Sequence, residues 1–354
     1  MVLRQTIRAV RGAGHDAMLC VGSQGRGCLE DAGVPIRRYW YRRSRFRILT
    51  LFTFVASQLM LYRLLSRSKL PKDAVIYVNT LLPFGAALWG RMHGHRVITH
   101  VHEVSISPSP LRKFLVGMQQ RCADRLIYVS RDNRDRLPIA DVPQAVVPNP
   151  VAPEIATLGA NTPYMSRRSG QFEVLMLASP RDFKGVPEFV ALARSFEAHP
   201  DIMFTLVLNG DATEVARYVP AVKRPSNLGL HPRTEAPEHF YATADILLNL
   251  SRPDEWVETF GLTLVEAMAF GVPVIGPPVG GPVEIITHGK EGYLCDGRDA
   301  SRLHALVAGL AQDPTLARSM SEAARTRASD FTMSQFTANL AAQLQQIYTK
   351  KETS

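Results

Sequence analysis

Short, uninterrupted apolar runs, spaced by stretches of helix length, recur along the whole chain and leave few folds open to it. In the first half they are DAMLCVG, AVIYVN, RVITHVH, RLIYVS and AVVPN; in the second, FEVLMLAS, MFTLVLNG, ADILLNL, VPVIG and a short GYLCD. Runs that are continuous rather than alternating suit parallel strands covered by helices on both faces. Two successive groups of them predict two doubly wound α/β domains, and 354 residues are enough for two cores. Residues 146–170, VVPNPVAPEIATLGANTPYMSRRSG, are rich in Pro, Gly, Asn and Ser and read as the connection. The boundary is expected near Pro150, giving domains 1–150 and 151–332. There is no internal repeat.

Charge divides the chain in the same place. Residues 1–150 carry 23 Lys and Arg against 9 Asp and Glu, whereas residues 151–354 carry 18 against 23. The basic half is the part expected to meet an anionic partner, such as a phospholipid surface or a pyrophosphate-linked substrate. The acidic half argues against a chain-long nucleic-acid groove, and nucleic acid is not an expected partner. Cys20, Cys28, Cys122 and Cys295 form no C-x-x-C pair and have no histidine at metal-ligand spacing. They read as reduced thiols of a cytoplasmic protein, without a zinc site. The opening MVLRQTIRAVRGAGH has no secretory signal pattern, which agrees with that location.

One basic segment, RRYWYRRSRFRILTLFTFVASQLMLYRLLSRSKL, starts with six arginines among aromatics and then runs without a charge from Ile48 to Tyr62. That uncharged run is shorter than the ~20 residues a membrane span needs. Two compatible placements follow: a helix packed on the sheet behind a solvated basic stretch, and a basic-aromatic element resting on an anionic membrane. Arg37, Arg38, Trp40, Arg42 and Arg43 are the candidates for membrane or acceptor contact.

Val2, Leu3, Ile7 and Val10 can share one helical face ahead of the first apolar run. A doubly wound domain ordinarily opens with a strand and a glycine-rich turn before its first helix. The expectation is therefore that the first domain lacks its first strand, that Met1 is internal to a longer natural protein, and that the 354-residue chain is poorly stable and weakly active.

The chemistry concentrates in Asp254–Ile286, DEWVETFGLTLVEAMAFGVPVIGPPVGGPVEII. Glu258 falls in a loop that leads into a helix closed near Gly271, and Glu266 lies about one turn inside that helix. A helix N-terminus offers unpaired N–H groups and partial positive charge to a phosphate. Carboxylates there would repel the phosphate unless they accept hydrogen bonds from sugar hydroxyls, so the pair suggests a sugar attached to a phosphate. The plainer reading, a carboxylate complementing the helix dipole and a solvated helix residue, is equally compatible with the spacing.

The E-x7-E pattern of Glu258 and Glu266, with FGL, EAMAFGVPVI and GG followed by Glu284, resembles the donor-binding signature of the retaining glycosyltransferases of family 4, which have the GT-B fold. The likeness continues in order through GAGHD, ITHVHE, ADRLIYVS, VVPNPV, FKG, VLNGD and YATADILLNL. The resemblance implies two Rossmann-like domains facing a cleft, with a last helix at about 333–348 returning to the first. It implies a nucleoside diphosphate sugar bound mainly by the second domain and a glycan or lipid-linked glycan acceptor bound by the first. Carried over residue by residue, Glu266 would hold the ribose and Glu258 the donor sugar. Phe260, Gly261 and Leu262 would offer N–H groups to the sugar and diphosphate, and Lys184 would neutralise the diphosphate. The family's companion arginine is replaced by Ser179; Arg181 is the candidate substitute. His102, at the end of an apolar run, would meet the reacting sugar, whereas His100, on the same strand face, reads as the structural histidine. Glu258 and His102 are thus the expected catalytic residues.

No Asp-x-Asp occurs, and fixed cations with a helix N-terminus can stabilise a leaving diphosphate, so neither metal nor cofactor is expected. The expected activity is transfer of a hexose-type sugar with retained configuration, in polysaccharide synthesis. The alternatives are a nucleotide-sugar epimerase of the same architecture and a truncated non-catalytic scaffold. A dinucleotide-dependent oxidoreductase is disfavoured because no G-x-G-x-x-G follows a strand.

Overall fold

The computed structural model describes residues 2–22, 29–42, 44 and 46–349; Cys28, Arg43 and Arg45 lie outside them. The chain forms two compact units, one of residues 1–150 with 333–354 and one of residues 151–332.

The first unit contains α1 (Val2–Gly12), β1 (Leu19–Val21), β2 (Ile36–Arg38), α2 (Arg47–Ser66), β3 (Val75–Asn79), α3 (Phe84–Met92), β4 (Arg96–Val101), α4 (Ser109–Cys122), β5 (Arg125–Tyr128), α5 (Arg131–Arg136) and β6 (Gln144–Val146). All pairing is parallel, in a four-stranded sheet β3-β4-β5-β6 and a separate two-stranded β1-β2. Neighbouring strand residues point to opposite faces. Ile98 and Ile127 accordingly pack with Ala9 of α1, whereas Val101, Leu126 and Tyr128 pack with Leu115 of α4. Burial on both faces is why these runs do not alternate.

The second unit contains α6 (Pro153–Asn161), β7 (Phe172–Ala178), a 3₁₀ turn (Asp182–Lys184), α7 (Val186–Ser195), β8 (Ile202–Leu208), α8 (Ala212–Tyr218), β9 (Leu228–His231), α9 (Glu238–Thr243), β10 (Ile246–Leu248), α10 (Leu262–Ala269), β11 (Val274–Gly276), α11 (Pro282–Ile285), β12 (Gly292–Leu294), α12 (Ala300–Gln312) and α13 (Pro314–Ala328). Its parallel sheet has the order β12-β11-β10-β7-β8-β9. Strand order reverses between β7 and β10, and in open α/β sheets ligands bind beyond the C-terminal strand ends at such a point. The last helix, α14 (Met333–Thr349), belongs to the first unit. Its Phe336, Leu340, Leu344 and Ile347 form one face that packs with Ala9, Ile98 and Ile127, and Arg125 donates to Gln343 Oε1 at 2.7 Å.

Three local expectations need correction. The proline-rich connection is not a bare loop: it holds α6, whose Pro153 fits the first helical turn and whose Gly159 lies against the Ala269–Phe270 backbone where no Cβ would fit. Arg37 and Arg38 are solvent-exposed as expected, but not in a stretch that leads straight into a helix. They sit on β2, and Arg38 is ion-paired with Glu30. Helix α2, expected to be packed on the sheet, is anchored by Leu61 and Leu65 but leaves Leu49, Leu51, Phe52, Val55, Leu59 and Met60 exposed.

Candidate functional site

Two loops of the second unit leave the sheet at the strand-order reversal, and a charged side chain of one meets a charged side chain of the other. After β7 the chain passes through Ser179 and Arg181 into the 3₁₀ turn that ends at Lys184. After β10 it runs through Asn249 and Ser251 to Glu258. Lys184 Nζ lies 2.8 Å from Glu258 Oε2, with both side chains 19% exposed. Ser251 Oγ donates to Asn249 Oδ1 at 2.9 Å and lies 3.5 Å from the same Glu258 oxygen.

The two loops are fastened to each other. The Arg252 N–H donates to the Phe183 carbonyl at 2.8 Å, and its guanidinium reaches Glu188 and Glu255, each at 2.8 Å. Phe183 stacks on Trp256 with centroids 5.2 Å apart, and the Lys184 ammonium lies 4.8 Å from the Trp256 ring centre. Such a contact adds cation–π attraction to the ion pair. Gly185 closes the turn at φ +80°, where a Cβ would collide with the Leu250 backbone. Gly185→Ala should therefore lower stability by at least about 2 kcal/mol, read by urea unfolding, since both the left-handed backbone and the contact oppose a side chain. An unchanged midpoint would show that this turn is not held as described.

Helix α10 begins at Leu262, behind Gly261 at φ +100° and without a side-chain cap. Its first turn therefore presents N–H groups that have no partner within the helix. Phe260 is buried and packs edge-on against Phe331 at 5.6 Å, which fixes the chain direction into the helix. The Gly281 N–H donates to the Glu258 carbonyl at 2.8 Å, so the loop after β11 holds Glu258 from the other side.

Glu266 is not a solvated helix residue: it is 3% exposed. Tyr241 Oη donates to its Oε2 at 2.7 Å, and its Oε1 is buried with no partner among the described residues. Burial pushes its carboxyl up to about 7, against the opposing pull of the Tyr241 hydrogen bond. Arg181 shares the Lys184 turn but is exposed, and its guanidinium donates to the Pro180 carbonyl at 3.0 Å. The structure thus joins Lys184 to Glu258 and leaves the Arg181 side chain out of that contact.

In the first unit, His102 follows the last residue of β4. Its Nε2 is 3.1 Å from Asn79 Oδ1, and its backbone N–H donates to Glu103 Oε2 at 3.1 Å. Glu103 also accepts from the Leu81 N–H at 3.0 Å, and Asn133 Nδ2 donates to the Glu103 carbonyl at 2.7 Å. His100 is fully buried, with Nδ1 2.7 Å from Tyr77 Oη, and its ring lies 4.1 Å from that of His102. Burial holds the His102 imidazole down at about 4 and His100 lower than its usual range, so both are neutral near pH 7. Asn79, Glu103, Tyr241 and Trp256 were not singled out from the sequence. Glu103, Tyr241 and Trp256 lie inside the motif stretches ITHVHE, YATADILLNL and DEWVETFG, whereas Asn79 ends an apolar run and meets His102 only through the fold. Among the described residues no three His, Cys, Asp or Glu side chains form a group that could hold a metal ion.

Comparison with known proteins covers both units. The family described as Glycosyltransferase Family 4 matches residues 1–155, and that described as Glycosyl transferases group 1 matches residues 166–327. The chain is 39% identical over 126 residues to the N-acetyl-alpha-D-glucosaminyl L-malate synthase of Bacillus anthracis, 34% of this chain and 31% of that protein. It is 29% identical over 252 residues to the GDP-mannose-dependent alpha-(1-6)-phosphatidylinositol monomannoside mannosyltransferase of Mycolicibacterium smegmatis, 66% of this chain and 64% of that protein. The matches thus span less than two thirds of either relative. The crystal structure of Anabaena Alr3699/HepE in complex with UDP-glucose superposes with a TM-score of 0.75 at 18% identity, covering 97% of this chain and 95% of that one. At that identity the likeness establishes a shared fold, GT-B.

Proposed function

Because the chain belongs to the group 1, family 4 glycosyltransferases, we propose that it moves a hexose-type sugar, with retained anomeric configuration, from a nucleoside diphosphate sugar to a glycan or lipid-linked glycan. The observation that carries this reading is the Lys184–Glu258 pair at the strand-order reversal beside the open first turn of α10. The donor diphosphate sits on the N–H groups of Phe260, Gly261 and Leu262 and draws the Lys184 ammonium from Glu258. Glu258, released, accepts hydrogen bonds from the donor sugar's hydroxyls. Glu266 takes the ribose, whose hydroxyl supplies the partner that its Oε1 lacks. His102, neutral, meets the reacting sugar as a hydrogen-bonding group.

The chemistry follows from these positions. The sequence motifs offer no nucleophile pair, which favours substitution on one face of the sugar. The acceptor oxygen bonds to the anomeric carbon as the bond to the diphosphate oxygen breaks, and the acceptor proton passes to that oxygen. Lys184 and the α10 terminus stabilise the departing charge without a divalent ion. The basic first unit supplies the surface for an anionic acceptor at the cytoplasmic side of a membrane.

A panel of nucleotide sugars scanned by thermal shift tests the donor site. A true donor at a hundredfold excess over its Kd adds about 2.7 kcal/mol to stability and raises Tm. Product analysis then separates the readings: a glycosylated acceptor plus free nucleoside diphosphate supports transfer, and an epimerised nucleotide sugar overturns it.

A further inference from the structure

Helix α2 keeps a broad apolar face outward although Leu61 and Leu65 anchor its other side. Its buried positions include Ser57 at 1% and Gln58 at 5% exposure, while Leu49, Leu51, Phe52, Val55, Leu59 and Met60 are between 42% and 69% exposed. The inward polar residues are matched: Gln58 Oε1 accepts from the Gly85 N–H of α3 at 3.1 Å, and Gln58 Nε2 donates to Ser57 Oγ at 3.1 Å. At 100° per residue the exposed apolar side chains form one continuous face. On the inward side, Phe54 meets Phe84 of α3 at 5.8 Å and Phe84 meets Phe114 at 5.0 Å. An exposed apolar area of this extent marks an interaction surface.

Charge identifies the occupant. Residues 32–72 contain ten Lys and Arg and no Asp or Glu. Arg37, Arg42, Arg63, Arg67, Lys69 and Lys72 are exposed on the segments before and at the end of α2. A symmetric dimer through this face would set basic surface against basic surface, whereas an anionic bilayer offers an apolar interior below a negative headgroup layer. We propose that the outward face of α2 is a membrane-docking surface, with the helix lying in the plane of an anionic bilayer and its basic flanks at the headgroups. Spanning is disfavoured because it would strip Ser57, Gln58, Leu61 and Leu65 from their packing on α3 and β3. This surface deepens the membrane contact proposed above but is independent of the transferase chemistry, because it needs neither donor nor acceptor.

The full chain is sedimented with vesicles of phosphatidylcholine and of phosphatidylcholine with phosphatidylglycerol, without nucleotide sugar. Binding is expected to the anionic vesicles only, fading as salt rises. The Phe52→Glu/Leu59→Glu double variant should lose at least about tenfold in vesicle affinity while keeping its Tm, because both side chains already face outward. A Phe52→Trp variant should shift its emission to the blue on anionic vesicles and be quenched by brominated lipid. Wild-type binding by the double variant, or a wild-type dimer that the double variant splits with no vesicle binding, would overturn the proposal. Donor binding measured on the same preparations stands or falls separately.

Discussion

Replacing Lys184 or Glu266 with alanine is expected to weaken nucleotide-sugar binding by about tenfold or more, because hydrogen bonds to charged groups contribute about 1.5–3 kcal/mol each. The two losses should differ in character. Lys184 leaves behind Glu258, 2.8 Å away, whose charge then faces the incoming diphosphate unpaired. Glu266 leaves a buried space beside Tyr241, whose hydroxyl loses its acceptor. Calorimetry with pyrophosphate and with the nucleoside in separate titrations should therefore show the lysine variant impaired most towards pyrophosphate and the glutamate variant most towards the nucleoside. Unchanged affinity in both, with folding intact, would sink the donor site.

Glu266 also carries a pH signature. Its carboxyl is near 4.5 when unfolded and is pushed up to about 7 by burial. The folded state therefore holds the proton more tightly, so this contribution to stability is complete below about 4.5 and is lost as pH rises through 7. The difference amounts to roughly 3 kcal/mol. Glu266→Gln, neutral at every pH, should flatten that decline in the ligand-free protein and be more stable than wild type at pH 8. A variant that follows the wild-type stability profile between pH 5 and 8 would show that Glu266 is not buried as a carboxylic acid.

The parallel sheets were legible because strands buried on both faces, such as RVITHVH and FEVLMLAS, leave an unbroken apolar trace. Lys184 was named through the resemblance of FKG to a family motif, whereas Glu258 and the start of α10 were legible from the run that leads into a helix closed by Gly271. Other features were decided by packing that no local pattern records. The α2 segment is apolar all round, so nothing in it says which side faces inward; Gly85 and the Gln58 carboxamide settle that. Glu266 follows from its spacing, but its burial depends on Tyr241, 25 positions earlier in the chain. Arg181 was chosen for the reach of its side chain, and the Pro180 carbonyl takes that reach up instead. The linker composition of residues 146–170 hid α6, since proline at the first turn of a helix looks the same in sequence as proline in a loop.

The sharpest separation is expected between the two adjacent histidines. His102→Ala should lower turnover on the order of a hundredfold, the usual effect of losing one hydrogen-bonding group aimed at developing charge, while donor affinity and Tm stay near wild type. Its side chain is half-buried at the mouth of β4 and is held by Asn79 at 3.1 Å, so its removal opens little of the core. His100→Ala deletes a fully buried ring that bonds Tyr77 at 2.7 Å. A cavity and a weakened hydroxyl partner together should cost about 2–4 kcal/mol of stability, with turnover per folded molecule largely retained. Since burial holds His102 down at about 4, its neutral form serves throughout pH 6–8, and turnover there should show no inflection that disappears in His102→Ala. Equal turnover losses in two equally stable variants would erase the distinction between the two histidines and overturn the separate roles given to them.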